Sequence, residues 1–413
     1  MRINDTQLAL VDKQIKRILA SGNYYSKVYQ EAGITGVSSP EDFEKIPFTD
    51  KADLRNAYPL GIQAVSDDEV VRIHSSSGTT GKPVIIPYTA KDVDDWATMF
   101  ARCYEIAGIT EKDRIHITPG YGLWTAGIGF QAGCEKLGAM AIPMGPGNTE
   151  KQLQMMIDLG STVLCATSSY ALLLAEEIEK RGIRDQIKLK KGVIGSERWS
   201  KAKRDYIARV LDIELYDIYG LTEIYGPGIG INCPGGEGMH IFDDYLYTEI
   251  IDPETGEVLP DGEEGEIVIT TLVKEGAPLI RFRTHDLSRI LPGECPCGRS
   301  YPRLDAIKGR SDDMFKVHGV NMFPSQVETI LGMVDGVSSE YKIDIAHDES
   351  INRDIIMITA EAEGRVDFAD TGAKIRNLVK SQLNVTPKVV VVSLNTLPRS
   401  EKKTQRVFDH RGD

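Results

Sequence analysis

The sequence predicts an α/β chain of two domains: a large N-terminal domain with parallel sheets covered by helices plus a β-rich subregion, and a small α+β C-terminal domain joined by a hinge. Three observations carry this reading. Between residues 115 and 216 short apolar runs alternate with segments of helical periodicity, the rhythm of parallel strands joined by crossover helices. From Ile231 that rhythm gives way to turn clusters between strand-like runs. Past Ser311 a shorter α+β pattern runs to the end. At 413 residues the chain exceeds what one core usually supports, and the boundary is placed at Ser311–Asp312, giving domains 1–311 and 312–413.

In chain order, Leu8, Val11, Ile15, Ile18 and Leu19 recur at helical spacing and predict an amphipathic first helix, with a short second one through Tyr25–Glu31. Thr49 or Asp50 is placed to cap a third. Then comes H-S-S-S-G-T-T-G-K-P, His74–Pro83, between apolar runs at Val70–Ile73 and Val84–Ile86. Its glycines let backbone N–H groups converge on an anion, its hydroxyls add donors, and Lys82 adds a mobile charge. A Walker A loop requires Ser or Thr after the lysine, and Pro83 stands there, so the stretch is not an ordinary P-loop. The alternative, a flexible Ser/Gly/Thr linker, is disfavoured by apolar flanks on both sides.

Thr89 caps a helix whose inner face is Val93, Trp96, Phe100 and Tyr104. Strand-like runs follow at Ile115–Thr118, Ala139–Pro143, Thr162–Ala166, Gly192–Gly195 and Ile213–Tyr216, with helices between them. Ligands on such sheets bind beyond the carboxyl ends of the strands, where Gly120–Gly122, Gly195–Glu197 and Tyr219–Glu223 read as turns. Leu246–Ile251 and Glu266–Thr271 form a hairpin region, and Ile343–Ala346, Ile355–Thr359 and Val389–Val392 are the strands of the C-terminal domain. Helices are expected there near Ser325–Leu331 and Thr371–Leu383.

The net charge of −13, from 48 Lys+Arg against 61 Asp+Glu, argues against a broad nucleic-acid surface. No apolar run reaches the ~18 residues of a membrane span, and residues 1–20 have no continuous apolar stretch of a secretory signal. Cys103, Cys134 and Cys165 sit singly in apolar segments and read as buried thiols, which fits a reducing cytoplasm better than a disulfide framework.

Several stretches together resemble the adenylate-forming enzymes and, within them, the phenylacetate–coenzyme A ligase family. They are S-S-S-G-T-T-G-K-P-V (75–84), Y-G-L-T-E (219–223), R-F-R-T-H-D-L (281–287), G-R-S-D-D-M-F-K-V-H-G-V-N-M-F-P-S-Q-V-E (309–328) and L-P-R-S-E-K-K-T-Q-R-V (397–407). P-F-T-D-K-A-D-L-R near the N-terminus is also family-like. The resemblance implies that a carboxylate attacks the α-phosphate of ATP, giving an acyl-adenylate and pyrophosphate, and that the thiol of coenzyme A then displaces AMP. It further implies that Ser75, Ser76, Ser77, Gly78, Thr79, Thr80, Gly81 and Lys82 hold the β- and γ-phosphates. Tyr219 would stack on adenine beside Gly195, Ser196 and Glu197, with Asp217 and Gly220 in the same nucleotide set. Thr222 would reach the α-phosphate, Glu223 a Mg²⁺, and Asp286 the ribose, with Arg310 alongside. Lys403 would bridge the attacking carboxylate and the α-phosphate; the family usually has glycine where Lys402 stands and lysine where Gln405 stands. Asp312 would be the hinge, and Gly319 and Val320 would line the coenzyme A channel.

The same resemblance builds the acid pocket from Tyr121, Trp124, Ala126, Gly127, Met144 and Gly145, aromatic walls that suit an aryl or arylacetic acid. A core Trp124 is the competing reading. C-x₆-H at Cys233–His240 and C-x-C at Cys295–Cys297 offer three thiolates and a histidine, a structural zinc set if the halves meet; free thiols are the alternative. A carrier-protein acceptor and a catalytically silent nucleotide-binding protein are the competing readings of the whole chain, and a homodimer is left open as the assembly.

Overall fold

The computed structural model describes residues 2–76, 82–197, 199, 201–317, 320–348, 353–398 and 406–411. The expected rhythm forms one half of a nine-stranded sheet. Met140–Pro143, Arg114–Ile117, Val163–Thr167, Lys191–Gly195 and Glu214–Leu221 lie side by side in that order, all parallel. Arg114–Ile117 lies between strands that follow it in sequence, so the chain order reverses there. Such a reversal opens a crevice at the carboxyl edge.

Beyond Glu214–Leu221 the sheet continues antiparallel through Gly226–Asn232, Met239–Ile241, Arg303–Leu304 and Ile290–Leu291. The strand expected to end at Tyr216 therefore runs on to Leu221, because Ile218–Leu221 pair with Gly226–Ile231. Tyr219 and Gly220 stand on a strand rather than in a turn. Close packing demands glycine at this junction. Gly226 has φ +122°, and a Cβ there would lie 2.5 Å from the ring of the buried Trp96.

A second, four-stranded antiparallel sheet contains Leu246–Ile251, Gly265–Thr271, Phe282–Ser288 and Gly309–Arg310. The N-terminal helix Asp5–Ser21, capped by Asn4, buries Leu8, Val11, Ile15 and Ile18, and Gln14 Nε2 donates to Leu272 O at 3.0 Å. Of the two cap candidates before Lys51, Asp50 takes the role, accepting from Ala52 N at 2.8 Å.

The segment before that helix is sewn onto the second sheet. Thr49 N donates to Arg281 O at 3.0 Å and Arg283 N to Thr49 O at 2.9 Å. The Arg281 guanidinium pairs with Glu249, donates to Glu44 O and Ile46 O, and stacks over Phe48 at 4.1 Å.

The remaining chain has its own core. Phe315, Val317, Met322, Val327, Ile330, Tyr341, Ile343, Ile356 and Ile375 pack together, drawing on no described residue before Phe315. Their framework is the sheet Lys388–Ser393, Arg353–Ala362, Val337–Asp348 and Val407–Asp409, with helices Pro324–Leu331 and Phe368–Leu383. Among the described residues no helix is long and apolar enough to cross a membrane.

Candidate active site

The ribose-side residues meet through strand register. Asp286 on Phe282–Ser288 stands opposite Arg310 on Gly309–Arg310. Arg310 Nη1 donates to Asp286 Oδ1 at 3.1 Å, and the buried Tyr219 hydroxyl donates to Asp286 Oδ2 at 2.7 Å. The other edge of Arg310 grips Asp312, Nε to Oδ1 at 2.7 Å and Nη2 to Oδ2 at 2.8 Å. One guanidinium thus joins the expected ribose ligand to the expected hinge.

His285, in the left-handed region at φ +63°, carries the network toward the N-terminus. Its Nε2 lies 3.1 Å from Asp50 Oδ2, and its Nδ1 lies 3.1 Å from Ser311 Oγ and 3.4 Å from Glu266 Oε1. Hydrogen bonding to Asp50, then Glu266, raises the imidazole to about 9. Asp50 falls to about 2, chiefly through His285. Glu266 also falls to about 2: burial opposes the shift, but His285 and Arg283 outweigh it.

The next residues face the expected phosphates. Thr222 Oγ1 lies 3.3 Å from Thr125 Oγ1. Glu223 is buried, yet among the described residues its Oε1 accepts no well-aligned hydrogen bond; Lys51 Nζ stands 2.8 Å from it as an ion partner. Lys274, fully buried between the rings of Tyr88 and Tyr225, donates to Ile224 O. Burial lowers its ammonium to about 7, against the pull of Asp92 and Glu223.

The Ser/Gly/Thr stretch connects two antiparallel strands, Val70–Ser75 and Ile85–Thr89. Ser75 and Ser76 are held at its base: Ser75 N donates to Leu123 O, and Ser76 Oγ accepts from Val84 N at 2.9 Å. Lys82 Nζ lies 5.6 Å from the centre of the Tyr58 ring. Ser77, Gly78, Thr79, Thr80 and Gly81 lie outside the described residues, as do Gly319 and Lys403. Val320 is described and opens the strand Val320–Met322, which pairs with Phe315–Val317.

On the adenine side, a Cβ on Gly195 would lie 2.5 Å from Ile218 O, and Ser196 takes φ +68°. Glu197 turns to the start of the helix Ser168–Arg181, accepting from Ser169 N at 3.0 Å and Ser168 Oγ at 3.2 Å. Burial lifts Asp217 to about 6, with Trp199 Nε1 donating to its Oδ2 at 3.2 Å.

Of the residues expected to line the acid pocket, Gly127 and Gly145 both approach Tyr121. A Cβ on Gly127 would lie 2.8 Å from Tyr121 Cδ2, and one on Gly145 would lie 3.8 Å from the same atom. Ala126 follows Thr125 at the start of the helix Thr125–Leu137. Met144 N donates to Ile117 O. Trp124, at 43% exposure, is not a core residue. The Met144–Gly147 turn is held by Gln152, whose Nε2 donates to Gly145 O at 2.7 Å and Gly147 O at 3.1 Å while its Oε1 meets His116 Nε2 at 2.7 Å.

Away from this cleft, Cys233, His240, Cys295 and Cys297 come together, with all four potential ligand atoms within 4.8 Å of one another. The Arg303↔His240 register joins the two halves. Cys233 and Cys295 sulfurs are 3.5 Å apart, Cys297 Sγ is 3.2 Å from His240 Nε2, and His240 Nδ1 faces Tyr301 O at 3.2 Å.

Sequence reasoning gave no role to Lys51, Gln152 or His285. The first two lie in ordinary-looking helices, and His285 stands inside a quoted motif whose aspartate drew the attention. P-F-T-D-K was itself a signal for Lys51, since a stretch shared with a family asks what its lysine does.

Residues 10–272 match the AMP-binding enzyme family, and residues 319–411 match the AMP-binding enzyme C-terminal domain. The phenylacetate-coenzyme A ligase of Escherichia coli (strain K12) is 41% identical over 403 residues, 94% of this chain and 90% of that protein. That of Pseudomonas putida is 42% identical over 379 residues, 90% of this chain and 85% of that protein. Among solved structures, 2-hydroxyisobutyryl-CoA ligase in its postadenylation state, with an acyl-AMP bound, superposes with a TM-score of 0.88 at 27% identity, covering 99% of this chain and 90% of that one. The same enzyme in its thioesterification state gives only 0.71 at 28% identity, covering 98% and 89%. Sequence similarity is equal in the two comparisons, so the difference is one of conformation. This structure superposes more closely on that enzyme's postadenylation structure than on its thioesterification structure. Shared sequence across nearly the whole length, both family matches and this superposition make the chain a member of the phenylacetate–coenzyme A ligase family of AMP-binding enzymes.

Proposed function

We propose that the protein activates an aryl or arylacetic acid, phenylacetate foremost, as its acyl-adenylate and transfers the acyl group to coenzyme A. The observation that carries this reading is the juxtaposition of Thr222 and Glu223 with the Asp286–Arg310 pair at the carboxyl edge of the sheet. The Tyr219–Asp286 hydrogen bond, three residues before Thr222, supports reading a ribose end and a phosphate end in one cleft. Asp286 receives the ribose hydroxyls, Thr222 hydrogen-bonds the α-phosphate, and Ser75 to Lys82 hold the outer phosphates. The acid enters at the chain reversal beside Tyr121, Gly127 and Gly145. Two anions must meet, so alignment and charge compensation are the main tasks of the site. Lys403 supplies that compensation in the first step. The parts on either side of Ser311–Asp312 then rotate about Asp312, bringing Gly319 and Val320 to the coenzyme A path and withdrawing Lys403.

The donor at Glu223 suits a hard divalent cation: a buried carboxylate oxygen with no hydrogen bond among the described residues. Mg²⁺ there would neutralise part of the triphosphate charge. Pyrophosphate release tested against aryl, arylacetic and short aliphatic acids decides the substrate class. Release independent of added acid, or its absence with every acid, refutes the reading. Mass spectrometry of the product with coenzyme A present and absent identifies the acceptor.

A structural zinc held by Cys233, His240, Cys295 and Cys297 belongs to the same proposal. Tetrahedral Zn–S bonds of about 2.3 Å separate sulfurs by about 3.8 Å, close to the observed convergence. His240 Nδ1 at the Tyr301 carbonyl leaves Nε2 for a metal. Elemental analysis of chelator-free protein should give about one zinc per chain. Metal-free, fully folded protein would make these residues three free thiols beside a histidine instead.

A further inference from the structure

One element of the cleft has no task in that scheme. The helix Lys51–Asn56 and the turn after it reach both ends of the phosphate region. Lys51 Nζ lies 2.8 Å from Glu223 Oε1, and the Tyr58 ring lies 5.6 Å from Lys82 Nζ. Two contacts seven residues apart thus lay one short segment between the expected metal ligand and the expected phosphate-loop lysine.

Its backbone is fixed. Asp50 caps the helix with one oxygen and meets His285 with the other, and Thr49 is hydrogen-bonded to Arg281 and Arg283. The freedom that remains is in the four-carbon stem of Lys51, whose three rotatable donors serve any nearby anion. The Lys51 side chain is 35% exposed and that of Glu223 6%, so the ammonium stands where protein meets the cleft.

A buried carboxylate requires a partner while the site is empty. When a triphosphate arrives with its divalent cation, two positive groups compete for Glu223 Oε1 and several phosphate oxygens become available. We propose that Lys51 is a triphosphate-binding residue that holds Glu223 in the empty site and passes to the outer phosphates when the metal–nucleotide binds. The inference rests on reading the cleft as a nucleotide site. Because AMP and the acyl-adenylate lack outer phosphates, Lys51 serves ATP and pyrophosphate alone.

The test is binding, measured by calorimetry with α,β-methylene-ATP plus Mg²⁺ and, separately, with AMP. Loss of one charge-assisted contact in Lys51→Met should weaken the triphosphate analogue about 30-fold while AMP affinity stays within about twofold. Lys51→Arg, which keeps the charge, should recover most of the loss. In nucleotide-free protein, Mn²⁺ titrated alone and followed by electron paramagnetic resonance should bind more tightly to Lys51→Met, because the competing ammonium is gone. A merely structural lysine would weaken all three ligands together, and that result overturns the proposal. So does unchanged affinity for the triphosphate analogue. If Lys51→Met does not fold, Lys51→Gln is read by the same three titrations, with the same outcomes. Wild-type protein that binds neither nucleotide defeats the underlying reading of the cleft, a result distinct from failure of Lys51.

Discussion

The two ends of the proposed nucleotide cleft are built differently. At the expected ribose end the described charged groups are paired: Tyr219 and Arg310 share the two oxygens of Asp286, and Asp312 takes the rest of Arg310. At the expected phosphate end a buried carboxylate oxygen has no aligned hydrogen bond among the described residues and leans on a half-exposed lysine. A complete network is preorganised and costs little to use, whereas an incomplete one gains its last partner from the ligand. The contrast follows the chemistry. Ribose is bound unchanged through the reaction, while the phosphates arrive, react and leave.

Breaking the phosphate end should have the largest effect. Lys403→Ala should cut acyl-adenylate formation by ~10²–10³, the scale of a lost transition-state contact. Thioester formation from ready-made adenylate should stay near normal; equal damage to both half-reactions would rule out a lysine that acts in the first step only.

Glu223→Gln should lower adenylation by roughly 10–100-fold and weaken its Mg²⁺ dependence, because a charge facing the metal is lost. Wild-type Mg²⁺ titration curves for this variant would remove Glu223 from the metal site.

At the ribose end, Asp286→Asn should weaken ATP and AMP alike by about tenfold, since both carry the ribose. Calorimetry that finds only ATP affected would erase the distinction between the two ends.

The smallest effect concerns pH. Asp50 and Glu266 are held near 2, so their contribution is present above the ordinary carboxylate range and is lost as pH falls toward 2. His285 is raised to about 9, so its contribution is full below about 6.5 and fades as pH rises through 9. Arg283 and Asp312 also face this cluster. Amide exchange of the Thr49 and Arg283 backbone pairs should therefore accelerate above pH 9 beyond the intrinsic rate. His285→Gln should remove that extra acceleration; if it persists, the opening has another cause.

The parallel half of the main sheet was legible because periodicity is local: each strand and its helix announce themselves within some thirty residues. Its antiparallel half was not. Arg303–Leu304 and Ile290–Leu291 are two-residue strands whose pairing is set by partners far along the chain, and no short window holds that information. Asp286 and Arg310 were readable as family motifs, but their opposition across two strands was a matter of register. The cysteine–histidine cluster shows the boundary case: C-x₆-H and C-x-C are visible as halves, and only the Arg303↔His240 pairing joins them. Lys51 stood in a family-like stretch that was itself a signal, but its partner is on another element, so its contact with Glu223 could not be read from the sequence.

The sewing of Thr49 to Arg281 and Arg283 bears on how the protein is made. On the ribosome, residues 44–51 emerge long before the strand that will receive them, and contacts so distant in sequence form late. Nascent chains stalled before residue 280 would carry the parallel sheet but an undocked leader segment, exposed to proteases and chaperones until the second sheet emerges.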